Sequence, residues 1–321
     1  MAHSFSAKSI VLLIFITSEI NTMLSQQTAP RKHVLQCELY KREVYESVYS
    51  YSALVNGLPD FTTVIDNCNQ PTPFIIGGSP AKPKEFPHMA RLGFAGTGQQ
   101  TEWFCGGTLL SKKYVLTAAH CFYSVQGVVN RVRLGELIFN SISDDARPED
   151  FDVRRYIHHP QYRHDQDYND IGLVELKSLA TLSEYVAPAC LPESDGDQQD
   201  KFYAVGWGAT KFASADADQL SKVTLNRFDA NRCRGITDDA ASIKMPHGLD
   251  SKSQICAGST ETKDTCHGDS GGPLLQFHGN FSCMFEVVGI TSTGIGCGVA
   301  GIPAVYTRVF NYVNWIESIV W

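Results

Sequence analysis

Cys266-His-Gly-Asp-Ser-Gly-Gly-Pro-Leu274 sets one serine, Ser270, between glycines on both sides. A serine hydroxyl is a poor nucleophile at neutral pH. It becomes a good one when a turn exposes it, a base takes its proton, and backbone N–H groups wait for the oxyanion. The flanking glycines allow the tight turn. Upstream, Thr117-Ala-Ala-His-Cys121 follows the apolar run Tyr114-Val115-Leu116 and offers His120 as the base. Asp170-Ile-Gly-Leu-Val-Glu-Leu176 offers an aspartate leading into a strand-like apolar segment. Buried there, Asp170 can accept the imidazole N–H, fix the tautomer and stabilise the imidazolium.

The chain order His120, Asp170, Ser270 is that of chymotrypsin-type enzymes rather than of subtilisins or α/β-hydrolases. Residues 75–321 resemble trypsin/chymotrypsin-like serine proteases throughout. The matching landmarks are Ile75-Ile-Gly-Gly78, Cys105-Gly-Gly107, the segments around His120 and Asp170, Gly206-Trp-Gly208, the Ser270 run and Val305-Tyr-Thr-Arg308. The resemblance implies an all-β fold of two packed antiparallel six-stranded β-barrels, with the three residues in the cleft between them. Short β-rich segments such as Val287–Thr291 alternate with glycine-rich turns, as this fold requires. Tyr312, Trp315, Ile316 and Ile319 recur at helical spacing and predict one C-terminal helix.

The resemblance also implies roles. Ser270 attacks the scissile carbonyl, His120 shuttles its proton, and Asp170 orients His120. The N–H groups of Gly268 and Ser270 form the oxyanion hole. Asp264, six residues before Ser270, stands at the base of the S1 pocket, where a buried carboxylate demands a cation and so directs cleavage after Arg or Lys. Gly294 and Ala304 match the pocket walls. Ala304 replaces the glycine of trypsins, and Thr293 replaces a tryptophan that lines the groove for residues preceding the cut. The activation cut falls between Phe74 and Ile75. The new Ile75 ammonium would pair with Asp269 and order the pocket, a proteolytic switch. Phe74 does not suit the enzyme's own pocket, so an upstream protease of different specificity is expected.

At 321 residues, 43% hydrophobic and 19% charged, the chain is long enough for a sizeable core. A net charge of −7 implies no nucleic-acid or anionic-membrane partner. Lys8 followed by Ile10–Ile16 reads as a signal peptide over residues 1–25, with cleavage expected within 18–26 and secretion as the consequence. Ten cysteines, an even count, then argue for disulfides. The resemblance implies the bridges Cys105–Cys121, Cys233–Cys256 and Cys266–Cys297, and it pairs Cys190 with Cys68. Parity leaves Cys37 for Cys283.

Residues 26–74 form a pro-segment, too short and polar for a core of its own, read as an extended tail with one helix around Cys37–Tyr49. Cys37-Glu-Leu-Tyr40, Cys68, Phe86-Pro-His-Met-Ala90 and Cys283-Met284 resemble insect clip-domain proteases of the Snake type. Two cysteines before the protease domain cannot build a six-cysteine clip, so the chain resembles that group without its clip domain. The resemblance implies an extracellular cascade in immunity or development. Its implied partners are a protein substrate such as a downstream zymogen or cytokine precursor, and serpin-type inhibitors. No cofactor is required by this chemistry. Glu136 matches the start of the family's calcium loop, with Asp144, Asp145, Glu149 and Asp150 following. The same residues read equally as a solvated acidic loop. Asn280-Phe-Ser282 is a glycosylation sequon. Two rival functions are a digestive trypsin, disfavoured by the long pro-segment and Phe74, and a non-catalytic binding protein on a protease fold, disfavoured by the intact triad.

Overall fold

A computed structural model describes residues 31–51, 61–68, 78–208, 217–229, 231–233, 243–259, 268–294 and 301–321. The expected signal peptide over residues 1–25, Phe74, Ile75, Asp264, Cys266 and Cys297 lie outside the described residues.

The residues before the protease domain contribute helix α1 (Lys32–Tyr45) and an antiparallel hairpin, β1 (Glu46–Tyr51) with β2 (Phe61–Asp66). The strands that follow are β3 (Ser79–Pro80), β4 (Met89–Phe94), β5 (Glu102–Leu109), β6 (Tyr114–Thr117), β7 (Arg131–Leu134), β8 (Glu149–His158) and β9 (Gly172–Leu176). Then come β10 (Lys201–Gly206), β11 (Ser221–Arg227), β12 (Gln254–Gly258), β13 (Pro273–Phe277), β14 (Phe285–Gly294) and β15 (Ala304–Arg308). Helix α2 (Val313–Val320) closes the chain, as the spacing of its apolar residues predicts. Val313 and Ile316 are buried, and Trp315 and Ile319 pack against the core.

Strands β4-β5-β6-β9-β8-β7 close one six-stranded antiparallel barrel. A second closes in the order β10-β13-β14-β15-β12-β11, through the β10–β11 pairing, with β3 added on β11. The expected two-barrel fold is therefore present. Strand β10 shows why the barrels pack together. Successive side chains point to opposite faces. Phe202 and Ala204 accordingly fill the second barrel, while Tyr203 and Val205 join the core shared with the first. Burying each large apolar side chain stabilises by about 1.5–3 kcal/mol, so a strand that feeds two cores fixes both its register and the cleft between them.

This N-terminal region is not the extended tail expected from the sequence. His33, Cys37 and Tyr40 recur on one face of α1, and that face is buried against the protease domain. Cys37, Tyr40 and Tyr45 form a small core with Cys190 and Met284. Arg31 reaches Asn314, His33 Nδ1 lies 2.7 Å from Glu317 Oε1, and Trp321 Nε1 donates to Tyr40 Oη at 3.1 Å. The helix thus docks along α2 and the C-terminus. It begins at Lys32 and ends at Tyr45, because Glu46 onward pairs as strand.

Two disulfides differ from expectation. Cys37 pairs with Cys190 (Cα–Cα 5.3 Å) and Cys68 with Cys283 (5.7 Å), so the expected Cys68–Cys190 and Cys37–Cys283 pairs are exchanged. The cause is the docking. Helix α1 seats Cys37 beside Cys190, and β2 then carries the chain past it, where Ser282 Oγ donates to Asp66 Oδ2 at 3.2 Å and aligns Cys68 with Cys283. Cys105–Cys121 and Cys233–Cys256 form as expected.

Candidate active site

Strand β6 ends at Thr117, whose hydroxyl donates to the Gly106 carbonyl at 2.8 Å. The chain then turns through a 3-10 segment, Ala119–Phe122, which presents His120 at the cleft. The Cys105–Cys121 bridge anchors that turn to β5. Gly172 is bare because Phe122 packs there; a Cβ would lie 2.3 Å from its ring.

Asp170 follows Asn169, which adopts φ 53° and turns the chain inward. Its carboxylate is 3% exposed. Oδ1 accepts the His120 backbone N–H at 2.9 Å, and Oδ2 lies 2.7 Å from His120 Nδ1. Ser292 Oγ also donates to Oδ2, at 2.6 Å, and Thr307 Oγ1 donates to the Asp170 carbonyl at 2.8 Å. Burial alone would raise the Asp170 pKa, but the His120 charge and these hydrogen bonds hold it below the usual carboxylate value. Burial alone would lower His120, but the Asp170 charge and hydrogen bond hold it above the usual imidazole value. Such a pair can act as a polarised base through its other nitrogen, Nε2, which lies 3.7 Å from Cys121 Sγ.

Ser270 stands on a loop held residue by residue. Its carbonyl accepts the Gly106 N–H at 2.8 Å. Gly271 adopts φ 75° and donates to the Thr291 carbonyl at 2.9 Å. A Cβ on Gly271 would lie 2.9 Å from Cys121 Sγ and 2.2 Å from Thr117 Oγ1. The bare glycine therefore brings the serine loop directly against the turn that carries His120. Gly268 adopts φ 89°. Its carbonyl accepts a hydrogen bond from the buried Arg91 Nη1. Asp269 turns inward, and its Oδ1 accepts the Gly208 N–H at 2.8 Å. A Cβ on Gly206 would lie 2.0 Å from Asp269 Oδ1, and one on Gly208 2.3 Å from Oδ2. The Gly206-Trp-Gly208 motif is thus a cradle for that carboxylate.

Gly294 and Ala304 face each other as Cα partners of β14 and β15. A Cβ on Gly294 would lie 3.3 Å from the Ala304 methyl, so the two positions adjoin as walls of one space. Thr293 stands on β14 with Val305 as its Cα partner, and the Asp167 backbone N–H donates to the Lys244 carbonyl at 3.0 Å. Burial raises the Asp167 pKa.

The acidic loop does not fit a calcium ligand set. Glu136 Oε1 accepts the Leu137 N–H at 2.9 Å and Oε2 meets Arg133 Nη1 at 3.1 Å. Arg133 also grips both oxygens of Asp150, at 2.6 and 2.9 Å. Asp144 accepts the Ile138 N–H at 3.1 Å. Asp145 takes the Tyr185 hydroxyl at 2.6 Å and Lys84 Nζ at 3.1 Å. Four of the carboxylates named from the sequence are thus committed to the chain's own donors, while Glu149 lies exposed on β8. Among the described residues, ligand atoms converge closely only at Cys37, Cys190 and His278 and at Cys105, His120 and Cys121, where the sulfurs are disulfide-bonded. Asn280 lies exposed in the turn between β13 and β14.

Ser292, Thr307 and Arg91 join these residues, and none was named from the sequence, although Thr307 lies within the landmark Val305-Tyr-Thr-Arg308. Ser292 stands in the segment where trypsins have Ser-Trp-Gly, and that register was a clue to it.

Comparison with known proteins agrees with this geometry. The family model described as Trypsin matches residues 75–316. The chain is 40% identical to serine protease snk of Drosophila melanogaster over 257 residues, which cover 78% of this chain and 58% of that protein. It thus spans little more than half the length of that relative. It is 37% identical over 269 residues to CLIP domain-containing serine protease B4 of Anopheles gambiae, covering 78% of this chain and 72% of that protein. Phenoloxidase-activating factor 1 of Holotrichia diomphalia is 34% identical over 263 residues, at coverages of 76% and 69%. With two closed barrels and a family match across most of its length, the chain belongs to the trypsin family of serine proteases, related to the clip-domain proteases of insects.

Proposed function

We propose that this chain is the secreted zymogen of a trypsin-like serine endopeptidase that cleaves after Arg or Lys in an extracellular proteolytic cascade. The observation that carries the reading is the His120–Asp170 pair at 2.7 Å, supported by Ser292 and abutting the serine loop through Gly271. In this reading Ser270 Oγ attacks the scissile carbonyl while His120 Nε2 takes its proton. The imidazolium, stabilised by Asp170, then protonates the leaving amine. Water repeats the sequence to release the acyl group. The N–H groups of Gly268 and Ser270 receive the oxyanion. Asp264 supplies the S1 charge, narrowed by the Ala304 methyl. Cleavage at Phe74–Ile75, by a protease of different specificity, delivers the Ile75 ammonium to Asp269. The names of relatives such as phenoloxidase-activating factor 1 support a cascade role. A downstream zymogen or cytokine precursor then serves as substrate, with serpin-type inhibitors as regulators. Residues 1–25 direct secretion, residues 26–74 form the pro-segment, and Asn280 carries a glycan.

The test is direct. The recombinant zymogen, with an engineered cleavage site at position 74, is cut and assayed on arginine-ended chromogenic peptides. Activity after the cut, absent before it and lost in Ser270→Ala, is expected. Equal activity of the cut protein and Ser270→Ala would overturn the catalytic reading.

A further inference from the structure

Glycine allows the loop before Ser270 to turn, and the same freedom lets its peptide planes rotate. At φ 89° Gly268 has no side chain to limit that rotation. Whatever fixes its peptide must come from elsewhere in the fold. The structure assigns this task to Arg91: we propose that Arg91 is a positioning residue that holds the oxyanion side of the nucleophile loop. The inference rests on the reading of Gly268 as an oxyanion donor.

Arg91 lies on β4, opposite Gly106 of β5. Two adjacent strands of the first barrel therefore grip the loop from the second. The Gly106 N–H holds the Ser270 carbonyl at 2.8 Å, and Arg91 Nη1 holds the Gly268 carbonyl. The loop can approach this closely because Gly106 is bare; its Cβ would lie 3.0 Å from the Gly272 Cα. Arg91 is 2% exposed and among the largest fully buried side chains. A guanidinium is costly to bury unless it is hydrogen-bonded. Its placement is therefore specific: it reaches the nucleophile loop one residue before Asp269. Being charged at every working pH, it keeps this grip where a histidine would titrate. Fixing the Gly268 carbonyl fixes the peptide plane between Gly268 and Asp269 and so anchors one side of the residue whose N–H, on the preceding peptide, serves the oxyanion. With that side held, less reorganisation is left to the reaction step.

The test compares Arg91→Gln and Arg91→Lys with the wild type after the engineered cut, using three readouts. The first is kcat and KM on an arginine-ended peptide. The second is inhibition by an arginine-ended peptide aldehyde, whose adduct oxygen occupies the oxyanion position. The third is inhibition by benzamidine, which fills S1 and does not touch the oxyanion hole. For Arg91→Gln, kcat falls roughly ten- to hundredfold, part of what removal of an oxyanion donor costs. KM changes by less than about threefold. Aldehyde affinity falls in step with kcat, and benzamidine affinity holds. Arg91→Lys, with a charge but a shorter single-point donor, falls between. Thermal unfolding checks that each variant is folded; if Arg91→Gln is not, Arg91→Lys carries the test. Wild-type kcat in the folded variant, or equal losses of aldehyde and benzamidine affinity, would overturn the proposal. Lack of wild-type turnover would instead overturn the catalytic reading, and this inference with it.

Discussion

At the residue scale, Asp170 gathers the most. A carboxylate that is 3% exposed takes two donors from His120 and one from Ser292, and its backbone carbonyl takes Thr307 Oγ1. The pH dependence follows from the sign of the shifts. His120 must be neutral to act as base, and the Asp170 charge raises its pKa above the ordinary imidazole value, so kcat/KM should rise with pH through that raised value. Asp170→Asn removes the charge and leaves burial, which lowers His120. We expect kcat to fall roughly ten-thousandfold and the acidic limb of the pH–rate profile to move to lower pH. An unmoved limb would contradict the assignment. His120, Asp170 and Ser270 are legible in the sequence because each sits in a distinctive local string. The roles of Ser292 and Thr307 are not: both stand in segments that match the family, but they reach Asp170 from 122 and 137 residues away, and no local pattern says which group a hydroxyl will meet.

At the scale of elements, the loop from Gly135 to Glu149 shows how partners decide what a motif does. Its carboxylates suit a hard cation by composition. Arg133 instead spans Glu136 and Asp150, and Lys84 spans Asp145 and Glu184. The chain carries its own cations there. The thermal midpoint should therefore be the same in chelator and in millimolar calcium. Arg133→Gln should lower it by about 2–4 °C, the shift that a loss near 1 kcal/mol gives in a domain of this size, and added calcium should then restore part of the loss. Stabilisation of the wild type by calcium would defeat this account. The glycines of Gly206-Trp-Gly208 teach the same lesson. Their spacing was a landmark in the sequence, but the reason for it is Asp269, which would meet any Cβ placed at either position.

At the scale of the whole molecule, the described residues of the N-terminal region and the protease domain are one packed body. Helix α1 joins α2 through His33–Glu317 and the following Trp321 through Tyr40, and the Cys37–Cys190 and Cys68–Cys283 bridges span 153 and 215 residues. After cleavage at position 74 the two chains should run as a single species without reductant and separate with it. Peptide mapping of the intact form should recover Cys37 linked to Cys190; recovery of Cys68 linked to Cys190 would refute the observed pairing. The sequence by itself determined the two-barrel fold, the C-terminal helix, the triad strings and two of the bridges. The helix rests on helical spacing and the triad on short distinctive strings, whereas the two-barrel fold and the two bridges rest on the family resemblance those strings carry. Only the tertiary structure decided which cysteines of the pro-segment meet which partners, that Arg133 and Lys84 neutralise the acidic loop, and that Arg91 reaches Gly268. Each of these is a contact between groups far apart in the chain, formed where docking and burial bring them together.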